Sequence, residues 1–517
     1  MKPIVIFVFL VIMTSCKNKE ESPTYLGIVD FEVTGKAQAL QLFEKGLLLL
    51  HSFEYQDARE AFVEAQKLDA NMAMAYWGEA MTYNHSLWRE QDYQDGVAAV
   101  EKIDLINATG LNPVEKDLLE AIKILYKPKT PKNERDKSYM AFMKSLYDKY
   151  PDQNEIAAFY ALSLLGSVSE GRNDSIYGEG ATVANKILEK NAKHPGALHY
   201  LIHSYDDPKH AHLALDAANS YAKVAPDASH ALHMPSHIYV ALGMWDKVVA
   251  SNIDSYGASL KRMRDKGLDN DARGYHAYHW LEYGYLQKEQ VEEAEKMVWD
   301  MQKYCKEKPS KRARAHLLFL KGTFLAETDL WGHAIANVEI DITGMNISVK
   351  AQNYFIEGMK AFKNKEVGTL NKIIGGLEGE IKQESLLVDN ISNGGSLCAS
   401  SERSLPNRTD VKRAEVMNTQ LLGLAAWLKE ELDVAEQFFK TSVDLEDNVP
   451  YSYGPPDILM PTKELYAKFL NLQGRPQEAL ALYKAALARG PKRLIPLKGI
   501  EETTKLMASS NLVKSQI

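Results

Sequence analysis

The chain has 517 residues, of which 45% are hydrophobic and 25% charged, and its formal net charge is −8. That length exceeds one small core and calls for several domains or a repeat array. The mild acidity, with no stripe of lysine and arginine, excludes nucleic acid as an expected partner.

The N-terminus, MKPIVIFVFLVIMTSC, holds one lysine, an apolar run from Ile4 to Met13, and small residues ahead of Cys16. Such a run is too short to span a bilayer and fits the hydrophobic region of a secretory signal. The ending Met-Thr-Ser-Cys resembles the bacterial lipoprotein signal, which implies that Cys16 becomes the lipidated first residue of the mature protein. The implied location is the cell envelope of a Gram-negative bacterium, anchored at the outer membrane and facing the periplasm or the surface. Residues 1–15 are read as the signal peptide and 16–37 as a flexible tether. No later segment is apolar enough to cross a membrane, so lipid alone is the expected anchor. Cys305 and Cys398 remain in the mature chain, and their spacing indicates neither a disulfide nor a nucleophile.

Further along, Gly46, Ala58, Phe62 and Ala65 are spaced by twelve, four and three residues. Gly423, Ala435 and Phe439 repeat the first two spacings, and Ala467, Gly474, Ala479, Tyr483, Ala486 and Pro491 keep the same register. Small residues allow two antiparallel helices to approach, an aromatic fills the gap, and proline stops the second helix. Weaker hairpins are predicted over 152–192, 312–343 and 351–380. The pattern resembles the tetratricopeptide (TPR) repeat over most of residues 38–500. This implies an all-α, right-handed superhelical solenoid of antiparallel helix pairs. The expected organisation is an array over 38–380, a long Gly/Ser/Asn-rich loop over 381–413, C-terminal repeats over 414–500 and a tail over 501–517. YSYGPPD at 451–457 reads as a connector.

Ten of the fourteen histidines fall between residues 194 and 279, in GALHYLIHSYDDP, HALHMPSHIYVALGMWD and RGYHAYHWLEYGY among other stretches. With Gly243 as a hairpin turn, His230, His233 and His237 take positions two, five and nine of one repeat. His199 and His203 take positions five and nine of the repeat before. His276, His279 and Tyr283 take two, five and nine of the repeat after, beyond an insertion near 256–271. The TPR resemblance implies that these positions face the concave groove, with Asp206 extending the stripe. Pro235 is expected to kink its helix. Trp77, Met81 and His85 are placed on one earlier helix. Met and aromatic residues so spaced usually form core, but the register would bring Trp77 and Met81, and with them His85, into the groove.

Histidines at i and i+4 share a helix face and can chelate Zn²⁺, Cu²⁺ or Ni²⁺. A third imidazole from the next helix, and Asp206 or Glu282 as an outer acceptor, would complete such a site. The same stripe also suits metal-free recognition, or a plain helix junction. No HExxH spacing and no identifiable base accompany it. The leading expectation is therefore a binding protein rather than an enzyme, taking a protein, peptide or small-molecule ligand in its groove. The alternative is a divalent-metal-binding protein or metalloenzyme on the same scaffold. The HALHMPSHIY-type motifs, with GPPDILMPTKELY, are similar to those of a widespread group of bacterial TPR proteins. That resemblance spans most of the mature chain, supports the fold and carries over no activity.

Overall fold

A computed structural model describes residues 25–392, 407–451 and 454–514. The signal peptide, Cys16 and Cys398 lie outside the described residues. The fold is all-α: antiparallel helix pairs follow one another along the chain, as the repeat register implies. None of the described helices is long and apolar enough to cross a membrane.

The hairpins share one turn. Ala37–His51 and Tyr55–Leu68 are joined through Phe53, and Thr462–Leu472 and Pro476–Arg489 through Gly474. In both, one residue takes a left-handed backbone (φ 55° and 72°), one more follows, and the second helix begins. The residue after the left-handed one bonds back five positions, Glu54 N–H to the Leu49 carbonyl and Arg475 N–H to Leu470. This is the Schellman closure, which satisfies carbonyls left open at a helix end. The same pattern recurs at Gly243, Glu289, Lys365 and Glu430. Above the turns, a Cβ on Gly46 or Gly423 would press against the ring of Phe62 or Phe439. Only glycine allows that approach, and both rings are fully buried.

Several boundaries differ from expectation. Residues 381–392 are not loop but the end of the helix Val367–Ser392, where Val388 is buried and Glu384 pairs with Lys350. The next helix, Arg408–Leu428, starts on a capping box between Asn407 and Asp410. The expected tail from 501 is largely helix, within Leu494–Lys514. Over 312–343 the first helix forms (Lys311–Thr328), but only a 3₁₀ turn at Ala334–Asn337 follows. The insertion near 256–271 is mostly a lengthening of the helix Trp245–Asp265. Pro235 divides its helix into Ser229–His233 and Pro235–Ala241, with Met234 still in helical backbone.

The buried residues fall into two apolar clusters that meet within Trp245–Asp265: Val248 belongs to one and Val249 to the other. The C-terminal repeats fold back onto this seam. Trp245 Nε1 donates to the Lys492 carbonyl at 2.9 Å, and Leu494 N–H donates to Gln287 Oε1 at 2.8 Å. Between them Arg493 is buried, with its guanidinium on Glu464, Glu327 and the Tyr283 hydroxyl.

Candidate functional site

Three first helices, Pro195–Ser204, Ser229–His233 with its continuation Pro235–Ala241, and Tyr275–Gln287, bring their histidines together at this seam. His199 Nε2 lies 3.1 Å from His203 Nε2 and 3.2 Å from His230 Nε2. His233 Nε2 lies 3.2 Å from His237 Nε2, and His276 completes a second triad. Within each triad the ligand atoms all lie within 4.8 Å of one another. The triads are neighbours, with the His203 and His237 rings 5.8 Å apart and those of His230 and His233 6.2 Å apart. His276 is exposed, His203, His230 and His237 are half-buried, and His199 and His233 are buried.

The outer nitrogens are committed. His199 Nδ1–H donates to the His51 carbonyl at 2.7 Å. His237 Nδ1–H donates to Asp206 Oδ2 at 2.6 Å. His233 Nδ1–H donates to Asn252 Oδ1 at 2.7 Å, and the Asn252 amide is oriented by its Nδ2 donating to the Val248 carbonyl. A neutral imidazole has one N–H and one lone pair, so each of these three rings turns its Nε2 lone pair inward. Burial, reinforced by neighbouring imidazoles, lowers the His199, His203 and His230 pKa values well below the usual value, and lowers that of His233 to about 3.

Aromatic rings frame the wall. Trp280 sits 4.4 Å from the His237 ring and 4.8 Å from that of His233, and Phe53 sits 4.3 Å from that of His199. Trp280 is backed by Gly454, where any Cβ would strike the indole. Beside it, Trp245, Tyr283, Gly454, Glu464 and Arg493 line a small solvent-open cavity of about 80 Å³, in which Arg493 is already neutralised by carboxylates.

Other expected site residues lie elsewhere. His279 points away from both triads, with Nε2 2.8 Å from Thr323 Oγ1. Tyr283 is buried with its hydroxyl accepting from Arg493, and it lines that cavity rather than joining either triad. Trp77 and Met81 are core, with Trp77 edge-on to Phe159. His85 is not on their helix, which ends at Met81; it lies in a two-residue strand paired with Glu90–Gln91, its ring 4.2 Å from Tyr55. The stripe register fails there because the second helix of that repeat is preceded by this small hairpin. Asp206 stands behind His237 rather than beside it, and Glu282 is fully buried with no hydrogen-bond partner for its carboxyl oxygens. The sequence reading missed Asn252, Phe53 and Trp280. It also missed a third group, in which Glu155 joins His51 and His194 across sequence separations of 104 and 39 residues. No local spacing signals contacts so distant. Phe53 alone left a trace, as a bulky residue at the turn position that Gly243 and Gly474 occupy in other repeats.

In the Glu155 group, His51 Nε2–H and His194 Nε2–H donate to the two carboxylate oxygens at 2.7 and 2.9 Å. His51 Nδ1 accepts from the Tyr200 hydroxyl, and His194 Nδ1 accepts from the Ala197 N–H. Burial alone would raise the Glu155 carboxyl, but His194 and His51 hold it well below the usual carboxylate range.

No protein-family model matches the chain, and no curated protein matches it by sequence. Solved structures to which it is similar include yeast Tom70 (10% identity, TM-score 0.30, 92% of this chain and 89% of that chain). They also include the human IFIT1 dimer with m7Gppp-AAAA (9% identity, TM-score 0.36, 92% and 96%). The P58(IPK) TPR domain is a third (14% identity, TM-score 0.22, 92% and 99%). The fold assignment rests on the chain's own hairpins and turns.

Proposed function

We propose that this protein is a lipid-anchored, TPR-like binding protein of a Gram-negative cell envelope, whose ligand site is the histidine wall. The observation that supports this most is the convergence of six imidazoles from three successive first helices, four of them still reaching solvent. A wall serving only as a helix junction would bury these rings, as the Glu155 group is buried. The anchor rests on the Met-Thr-Ser-Cys ending at Cys16 and the apolar run before it. Protein, peptide and small-molecule ligands are the partners such a wall would serve, through imidazole hydrogen bonds and ring contacts with Trp280 and Phe53. The reading is of binding rather than catalysis.

One experiment tests both parts. The full-length protein is expressed in a Gram-negative host, extracted from membranes in mild detergent and weighed intact by native mass spectrometry. The expected result is a lipid-modified Cys16 N-terminus together with a bound mass that His237→Ala lowers or abolishes while helicity is kept. An unlipidated chain would overturn the anchor; a chain with no bound mass, or one indifferent to the substitution, would overturn the wall as a ligand site.

A further inference from the structure

We propose that the ligand of this wall is a pair of divalent transition-metal ions, one held by His233, His237 and His276 and the other by His199, His203 and His230. The inference rests on the wall being a ligand site and names the chemical class it takes.

Lone-pair accounting carries the argument. His233 must donate from Nδ1, because Asn252 offers it a carbonyl oxygen, and His237 must donate from Nδ1, because Asp206 offers a carboxylate. Both Nε2 atoms then present lone pairs to each other at 3.2 Å. Two lone pairs at that distance repel unless a cation lies between them. A proton on His237 would satisfy this one pair. It would leave the third ring, His276, converging on the same point for no reason.

The first triad repeats the problem. The His199 Nε2 lone pair faces both His203 Nε2 and His230 Nε2, and one lone pair cannot accept from two donors. A metal ion resolves both triads in one way.

The dimensions agree. Tetrahedral Zn–N bonds of about 2.0–2.1 Å place ligand nitrogens about 3.3 Å apart, against 3.1 and 3.2 Å for three of the six pairs here, the other three lying within 4.8 Å. The outer shell agrees as well. Metal-binding imidazoles characteristically donate their second N–H to a carboxylate or a backbone carbonyl, which fixes the ring and raises its basicity. Asp206 and the His51 carbonyl do this for one ring in each triad, and Asn252 does it for His233.

All-imidazole ligation without a carboxylate in the first shell selects Zn²⁺, Cu²⁺ or Ni²⁺ over Mg²⁺ or Ca²⁺. Three protein nitrogens leave a fourth position for water or an exchangeable ligand, toward the side where His276 is exposed. The Glu155 group, also within ligand distance, is excluded by the same accounting, since each of its imidazole nitrogens is already paired.

The test uses the full chain without a histidine tag, stripped with a chelator and reloaded with Zn²⁺ or Co²⁺ alone. The expected result is two ions per chain by elemental analysis, with Co²⁺ giving the intense visible bands of tetrahedral nitrogen ligation. His237→Ala should keep one ion. Asp206→Asn, which preserves shape, should weaken one site about tenfold to a hundredfold in competition titration. Fewer than two ions per folded wild-type chain, or stoichiometry and affinity unmoved by both variants, overturns the inference. Native mass spectrometry separates the two readings. An organic or peptide mass that requires His237, on a chain that takes no metal, would sink the metal and keep the wall. No bound mass of any kind would sink both.

Discussion

Around Glu155, two imidazoles and a carboxylate are sealed in the core, and every nitrogen meets a group of opposite polarity. In the wall, imidazoles meet imidazoles, and the polar partners lie behind the rings. His51 belongs to both, through its ring in the first and its carbonyl in the second. The same side chain thus meets carboxylate, hydroxyl and amide partners in one region and other imidazoles in the next. Histidine density in the sequence cannot separate the two; only the partner of each nitrogen does.

The largest expected effect breaks the Glu155 group. Glu155→Ala leaves two buried N–H donors without acceptors, at about 1–3 kcal/mol each, so stability should fall by about 2–6 kcal/mol. Urea unfolding of the metal-stripped protein measures this, and a loss under 1 kcal/mol would show that the group is no strut. Acid sharpens the comparison next. The folded His51 pKa is lowered from 6.5 by burial, and that of Glu155 is lowered from 4.5 against its own burial by His194 and His51. Both depressed values mean that the unfolded chain takes up protons first, so stability is full above pH 6.5 and declines as pH falls. The urea midpoint should therefore drop between pH 7 and pH 4.5, and drop more in Glu155→Gln, which removes the carboxylate that raises His51; equal slopes would contradict the assignment. The smallest effect on stability is expected at the wall. His276→Ala removes an exposed ring and should change the metal-free stability by no more than about 0.5 kcal/mol, yet it should cost the chain one bound ion. A large loss of stability would make His276 structural instead.

The repeat register was legible because small residues and one aromatic per hairpin are required by close helix packing, as Gly46 against Phe62 illustrates. It carried over to the triads, since His199, His203, His230, His233, His237 and His276 are local helix positions. It failed for His279 and Tyr283, which share a helix with His276 yet face Thr323 and Arg493. Those partners come from the following repeat and from the C-terminal fold-back, which no local spacing encodes. The loop expected over 381–413 is helix at its two described ends, 381–392 and 408–413, while 393–406 lie outside the described residues. Gly, Ser and Asn dominate its average, while Lys350 and the core draw Glu384 and Val388 into helix.

The His51 carbonyl that sets the tautomer of His199 lies 148 residues away in the chain. Hairpins closed by neighbouring residues form early, whereas contacts of such long separation wait for the intervening chain to be ordered. The wall is therefore expected to form late in folding, after most of the helix is in place. An ion bound there cannot template the fold; it can only report that the fold is complete. Stopped-flow refolding that follows helicity and Trp280 fluorescence separately would show the second lagging the first.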